Sequence, residues 1–525
     1  MTDHSFSTLS VAAILKESAD RMPDHIAVVV NGKETTYREL WGESCAYAGA
    51  LRSEGVTAGD AVAILIPNVT DFARCYYGIL ALGAIVVPIH ALLKADEIEY
   101  VLRDSGAMML ICAAPLLGQG AQGAAQAEVP LLSVLAPELI EGIRSLEKLA
   151  TTATPIGMYE AREPNDTATI LYTSGTTGKP KGAMGSHFAL VEQTNTLLLS
   201  TFDMKADDVV FGGLPLFHTF GQTCTLNTGL RAGAKVVLLP KFDGDTALRT
   251  LIDNECTIMM GVPTMYIALL EAVKKTSDRP KLRYAISGGS ALPLAVIDRF
   301  RAEFGIEIYE GYGLTETSPV ASFNHIGRTP RAGSIGTAIW GVDVEIANAD
   351  IEGSIELLPI GELGEIVIRG HNIMKGYLNL PEESAKAVID GWFRTGDLGT
   401  KDVDGYLWIV DRKKDMILRN GYNVYPREVE EVLIAHPMVS TAAVFGIEHE
   451  THGQEILAAV VLAPGAEIDA DGLKEFAKEK LAGYKYPRRV VVVEMLPLGP
   501  SGKVLKRELV AIYEKEAADA AALAI

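Results

Sequence analysis

The sequence predicts an α/β protein: a large N-terminal domain of mostly parallel sheets flanked by helices, a small β-barrel-like subdomain, and a small α+β C-terminal domain. Three observations carry this. At 525 residues the chain exceeds the ~250–300 residues at which one hydrophobic core stops growing. As far as about residue 400, apolar or β-branched runs alternate with helical patterns, which is the pattern of parallel sheets covered by helices. After Gly333 the texture changes to short strand signals separated by Gly and Asp, and a compact unit starts near Lys414. The expected domains are residues 1–413 and 414–525.

In the first domain, runs 26–30, 61–66 and 84–87 read as strands, with helices at 37–54 and 70–82 between them. Runs 236–239, 258–260 and 284–287 continue the series. Residues 113–128, rich in Ala, Gly and Gln, read as a surface loop. The uncharged stretch 76–93 approaches membrane-spanning length, but Gly78, Gly83, Pro88 and His90 interrupt it. It reads better as a buried helix ending at Gly83, then a strand. Segments 342–346, 364–368 and 406–410 read as strands of the small sheet or barrel. In the second domain a helix over 426–436 has Pro426 near its first position and acids in its first turn. Strands 439–445 and 456–462, a helix 471–481 and a strand 490–494 complete it.

The net charge of −20 gives no general attraction for nucleic acid or an anionic membrane, so a polyanionic ligand must be held by local donors. Cys45, Cys75, Cys112, Cys224 and Cys256 are scattered and form no C-x-x-C, which argues against a disulfide framework or structural zinc and fits a reducing cytoplasm. The first residues lack a basic segment followed by an apolar one, so no signal peptide is expected.

The sharpest local signal is Tyr172-Thr173-Ser174-Gly175-Thr176-Thr177-Gly178-Lys179-Pro180-Lys181-Gly182. It comes directly after the apolar run 168–171 and so leaves the end of a strand. Its glycines let backbone amides approach an anion, its hydroxyls add neutral donors and its lysines add charge. It is not a Walker loop, because Gly175 and Gly178 enclose too few residues. This segment resembles the AMP-binding signature of the adenylate-forming superfamily, which contains acyl- and aryl-CoA synthetases, adenylation domains and luciferases. The resemblance runs from about residue 10 to Arg507, with further motifs in a fixed order.

That resemblance implies a role for each further motif. Ser287-Gly288-Gly289-Ser290 lies along the adenine, although alone it would pass for a plain strand-to-helix turn. In Glu310-Gly311-Tyr312-Gly313-Leu314-Thr315-Glu316, Tyr312 stacks on adenine, Thr315 bonds the α-phosphate and Glu316 helps hold Mg²⁺; an aromatic face, a hydroxyl and a hard oxygen ligand suit those tasks. By the same resemblance Asp397 and Arg412 contact the ribose. Lys414 is the hinge about which the mobile C-terminal domain rotates, Gly421 and Tyr422 face coenzyme A, and Lys503 is the mobile catalytic lysine, a point charge on a flexible stem. Relatives often carry Gly-Gly or Lys-Gly where this chain has Asn420-Gly421, which leaves the coenzyme A side less defined than the ATP side. His218 gates the carboxylate, or is a capping or core histidine. Gly261 and Tyr266 belong to the opposite wall of the acid pocket, with residues 320–323.

The implied reaction joins a carboxylic acid to coenzyme A through an acyl-adenylate, using ATP and Mg²⁺. The predicted walls carry no fixed cation, so a second carboxylate would lack a partner. A medium- or long-chain fatty acid is the expected substrate. An aryl acid of the cinnamate or benzoate type, and an adenylation enzyme that loads a carrier protein without coenzyme A, are the alternatives. No nucleic acid or integral membrane partner is expected, and a homodimer is left open.

Overall fold

The computed structural model describes residues 8–138, 140–173, 179–449, 451–463, 465–498 and 504–523. The chain packs as two compact units: residues 1–292, 299–344 and 368–393 in the first, and 293–298, 345–367 and 394–525 in the second.

Two large sheets build the first unit. One is ordered Arg144–Ser145, Leu131–Val134, Met109–Ala113, Ala61–Leu65, Ile85–Pro88, Thr167–Thr173, Lys181–Ser186; all neighbours are parallel except the last pair, a hairpin. The other is ordered Thr337–Ala338, Val320–Phe323, Ile308–Gly313, Tyr284–Ser287, Ile258–Gly261, Val209–Gly212, Lys235–Leu238, Ile26–Val30, Lys33–Thr36, parallel through its middle with antiparallel pairing at each end.

The helices Tyr37–Ser53 and Thr70–Ala81 share one core with apolar residues of both sheets, Val62, Ile64 and Val86 from one and Val28, Val236 and Leu238 from the other. This explains the uncharged stretch. Nearly every residue of Thr70–Ala81 is buried, because the helix meets a sheet on two sides rather than lipid. Among the described residues no helix is long and apolar enough to cross a membrane. The first helix starts where Thr36 and Glu39 form a reciprocal capping box. The second ends before Gly83, whose φ of +70° is the left-handed stop expected there.

A third sheet of five strands is ordered Val342–Ala347, Gly364–Gly370, Trp392–Lys401, Val388–Ile389, with Leu407–Arg412 paired to Trp392–Lys401. In the second unit, Tyr422–Val424, Ile417–Arg419, Gly453–Leu462 and Val439–His449 form an antiparallel sheet, with Arg489–Val492 parallel to Gly453–Leu462. Its alternate residues face two cores. Ala442 and Val444 pack with Val429, Leu433 and Leu473 of the helices Pro426–Ile434 and Ala470–Lys480. Ala443 and Phe445 pack with Leu509 and Tyr513 of the helix Lys506–Leu523.

One expectation is corrected. Residues 113–128 are not a surface loop: Ala114–Leu116 is a 3₁₀ turn and Leu117–Ala127 an α-helix. Its glycines allow a close approach that larger residues would block. A Cβ at Gly120 would stand 2.6 Å from Cys112 Sγ, and one at Gly123 would stand 2.8 Å from the Ala95 carbonyl oxygen. Gly123→Ala should therefore cost about 1–3 kcal/mol through overpacking, read as a lower urea midpoint of unfolding. Gly118→Ala, which faces open space in the same helix, should leave that midpoint unchanged or raise it by up to about 1 kcal/mol.

Candidate active site

The Gly/Ser/Thr motif lies between the antiparallel strands Thr167–Thr173 and Lys181–Ser186, with Thr173 opposite Lys181. Ser174, Gly175, Thr176, Thr177 and Gly178 lie outside the described residues, but the roots of the loop are fixed. Tyr172 donates to Asp104 at 2.7 Å, and Tyr100 donates to the Pro180 carbonyl at 2.9 Å. Lys179 is exposed, with its Nζ 5.6 Å from the Tyr100 ring centroid. Lys181 is mostly buried and pairs with Glu383 at 2.6 Å, which holds the Glu383 carboxyl below the usual range. Of the two lysines of the motif, Lys179 is thus the one whose charge faces water.

The segment Lys375–Leu378 crosses this hairpin. Lys375 N–H donates to the Met184 carbonyl, Met184 N–H to the Gly376 carbonyl, and Leu378 N–H to the Gly182 carbonyl. From its other end, Met374 N–H donates to the Glu316 carbonyl at 2.8 Å. Tyr377 donates its hydroxyl to Glu316 Oε1 at 2.9 Å. Glu316 is only 8% exposed, so it is not the exposed acid of an ordinary Gly turn. Thr315 and Glu316 open a short 3₁₀ turn after the strand Ile308–Gly313, which carries Gly311, Tyr312 and Gly313.

Gly288 and Gly289 come after the strand Tyr284–Ser287, and Ser290 is exposed. A Cβ at Gly288 would stand 3.2 Å from the Phe220 ring and 3.5 Å from the Gly311 carbonyl oxygen. The structure therefore brings together three segments far apart in sequence: the turn after His218, the 287–290 turn and the Gly311–Tyr312 strand end. His218 is half-buried and its Nδ1 accepts from Phe220 N–H at 3.3 Å, so its ring is oriented by its own turn. Residues Phe220–Asn227 then form a π-helix, a rare wide-turn form that is frequent at functional sites. Tyr266 is fully buried and packs beside Gly261; its hydroxyl donates to the Ile286 carbonyl.

In the second unit Asp397 and Arg412 are direct partners across two antiparallel strands, with Arg412 Nε 3.2 Å from Asp397 Oδ1. Asp397 is 4% exposed and the Arg412 side chain 40%. Lys414 is exposed just beyond. Asn420 and Gly421 have φ of +52° and +79° and close the hairpin between Ile417–Arg419 and Tyr422–Val424. Asn-Gly is the pair that two left-handed central residues favour, so the departure from Gly-Gly leaves the turn geometry intact. Tyr422 is exposed and packs on Tyr484 at 4.8 Å. Lys503 lies outside the described residues.

Two groups escaped the sequence reading. Tyr377 is one. Asn68 is the other: it is buried, donates to the Gly212 and Leu214 carbonyls at 3.1 and 2.7 Å, and accepts from Leu216 N–H at 2.9 Å. It clamps the segment that leads to His218. Neither lies in a run whose spacing marks it; each acts through long-range contacts.

The profile of the family described as AMP-binding enzyme matches residues 15–378, and that of the AMP-binding enzyme C-terminal domain matches residues 428–503. The chain belongs to the AMP-binding enzyme family. With it comes the adenylate-forming superfamily that the motifs resembled. This AMP-binding enzyme is 34% identical to the long-chain-fatty-acid–CoA ligase of Bacillus subtilis (strain 168), over 95% of this chain and 94% of that one. It is 37% identical to a feruloyl-CoA synthase of Amycolatopsis sp, over 93% and 96%. Its fold matches ATP-bound MatB from Rhodopseudomonas palustris with a TM-score of 0.88 at 32% identity, over 97% of this chain and 99% of that one. It is an AMP-forming acid–thiol ligase with acyl- or aryl-CoA ligase activity, and ATP and coenzyme A fit this family.

Asn68→Ala would leave the Leu214 carbonyl and the Leu216 N–H without the partner Asn68 supplies, while the Gly212 carbonyl keeps the Leu239 N–H. We expect it to lower stability by at least about 2 kcal/mol, seen as an earlier thermal transition, and to raise KM for the acid more than KM for ATP.

Proposed function

We propose that this enzyme activates a medium- or long-chain fatty acid and transfers it to coenzyme A. The observation that carries the proposal is the make-up of the acid walls. Segments 219–230, 261–266 and 320–323 contain no charged side chain, and Phe220, Met265, Tyr266, Val320 and Phe323 are buried. A second carboxylate or an ammonium group would be desolvated there without a partner, whereas an apolar tail is stabilised by about 0.8 kcal/mol per buried methylene.

The substrate carboxylate attacks the α-phosphorus of ATP, and the bond to pyrophosphate breaks. The thiol of coenzyme A then attacks the acyl carbon of the adenylate, and AMP leaves. In this reading residues 173–179 and Thr315 bind phosphate oxygens, and Gly288, Gly289, Ser290 and Gly311–Gly313 frame the adenine with Tyr312. Asp397 and Arg412 bind the ribose, Lys414 serves as hinge, Gly421 and Tyr422 meet the thiol substrate, and His218 gates the acid. Lys503 stabilises the charge that builds between carboxylate and phosphate.

Glu316 fits Mg²⁺. It is a buried carboxylate with one oxygen held by Tyr377 and the other without a partner among the described residues. When bound, Mg²⁺ neutralises phosphate charge. The five cysteines are all buried and unpaired, which supports a cytoplasmic setting.

A second reading, an aryl acid bearing hydroxyl or ether groups, is favoured by one observation. Gln193 is fully buried with neither amide atom paired among the described residues, and Gln222 Oε1, Thr223 Oγ1 and Ser287 Oγ are likewise unpaired. Such groups call for polar partners.

The test is a panel of acids, from acetate to palmitate with benzoate, cinnamate, ferulate and malonate, incubated with ATP and Mg²⁺ with and without coenzyme A. Thioester peaking at one alkyl chain length is the expected result. A peak at ferulate establishes the aryl reading, and adenylate without thioester establishes carrier loading. Lys503→Ala should slow adenylate formation by ~10²–10³-fold and spare thioester formation from supplied acyl-adenylate, read as separate half-reactions.

A further inference from the structure

The segment that crosses the phosphate hairpin touches both halves of the adenylation chemistry. Its backbone pairs with Gly182 and Met184 on one side and with the Glu316 carbonyl on the other. Its side chain does the same. The Tyr377 hydroxyl donates to Glu316 Oε1 at 2.9 Å, while its ring centroid lies 5.2 Å from Lys181 Nζ. Lys181 is held in place by Glu383. The ring packs beside Ala183, Met374 and Phe393, so its orientation is set before any ligand arrives.

A tyrosine hydroxyl bonded to a carboxylate fixes which oxygen remains for a ligand. With Oε1 accepting from Tyr377, the rotation of the Glu316 carboxylate is arrested and Oε2 is left for a ligand.

We propose that Tyr377 is a positioning residue: it holds Glu316 in the orientation that binds the metal of the Mg·ATP complex, and couples that carboxylate to the strand leaving the phosphate loop. This rests on the reading of Glu316 as the metal-binding acid. It goes beyond that reading by assigning the aim of the carboxylate to a residue 61 positions away, in a segment with no adenylate-binding motif of its own.

Tyr377→Phe keeps the ring and removes only the hydroxyl. The experiment titrates Mn²⁺ by electron paramagnetic resonance in the presence of a non-hydrolysable ATP analogue, for the full-length wild type, Tyr377→Phe, Glu316→Gln and the double variant. Alongside, adenylate formation is measured against Mg²⁺ concentration. Tyr377→Phe is expected to weaken Mn²⁺ binding and raise half-saturating Mg²⁺ by about tenfold, the scale of one hydrogen bond to a charged group. It should spare thioester formation from supplied acyl-adenylate and leave the thermal midpoint unchanged. In the Glu316→Gln background the same substitution should add little, because the hydroxyl acts through that carboxylate.

Unchanged Mn²⁺ affinity in Tyr377→Phe, or full additivity with Glu316→Gln, overturns the proposal. So does equal loss in both half-reactions with a fall in thermal midpoint, which marks a merely structural tyrosine. A Glu316→Gln variant that binds Mn²⁺ as tightly as wild type overturns it through its premise. Failure of the wild type to form any adenylate would instead refute the ligase reading, so the two failures are distinguishable.

Discussion

The first unit depends on one buried helix, Thr70–Ala81, packed between two sheets. Both sheets bury a face against it and against its neighbour Tyr37–Ser53. Such a helix must be apolar all round, and the polar groups it does carry must be satisfied where they sit. Asp71 accepts from Tyr47 at 2.7 Å and pairs with Arg74 at 3.1 Å, while Arg74 also meets Glu43 at 2.7 Å. Tyr77 donates to Asn227 Oδ1, and Asn227 donates to the Tyr76 oxygen. Asn227 ends the π-helix behind His218. Asn68, just before the helix, clamps the 212–216 segment ahead of His218. One core helix and the residue before it thus fix the turn around His218 from both sides, which is how packing in the middle of the molecule becomes geometry at the candidate site.

Much of this was legible in the sequence because it is periodic or clustered. The uncharged stretch 76–93, interrupted by Gly83, pointed to a buried helix and a strand, and the Gly83 stop holds. The β-branched runs of the first domain became strands within a residue or two of their expected ends. The Tyr172–Gly182 motif is visible because its residue types are packed into eleven consecutive positions. The helix Leu117–Ala127 was not visible. Its glycines lower a helix propensity that its alanines favour, it has few large apolar residues to form a stripe, and only contact with Cys112, Ile98 and Ala95 shows why small residues sit there. Asn68 and Tyr377 escaped for a related reason. A hydrogen bond between Tyr377 and Glu316, or between Asn68 and Leu216, leaves no trace in local spacing.

An acidic protein that binds a polyphosphate must keep its own carboxylates from repelling it. In the described residues several acids at or beside the motifs are already engaged. Glu383 is held by Lys181, Asp397 by Arg412, and Glu365 by Arg394. Glu365 is buried and also accepts from Gly396 N–H, so it supports the turn that precedes Asp397. The net charge of −20 is therefore compatible with a local site of opposite character, because attraction over a few ångströms outweighs screened charge farther than the ~8–10 Å Debye length.

Several polar side chains around the π-helix are buried without partners among the described residues. Leaving a buried amide or hydroxyl without a partner costs about 1–3 kcal/mol per group. Gln193 alone has both its donor and its acceptor unpaired among the described residues, and Thr223 and Gln222 belong to the π-helix packed against the Gln193 helix. With both amide atoms in that state, Gln193 is the most costly of these side chains to bury, and it sits on the helix packed against the π-helix that follows His218.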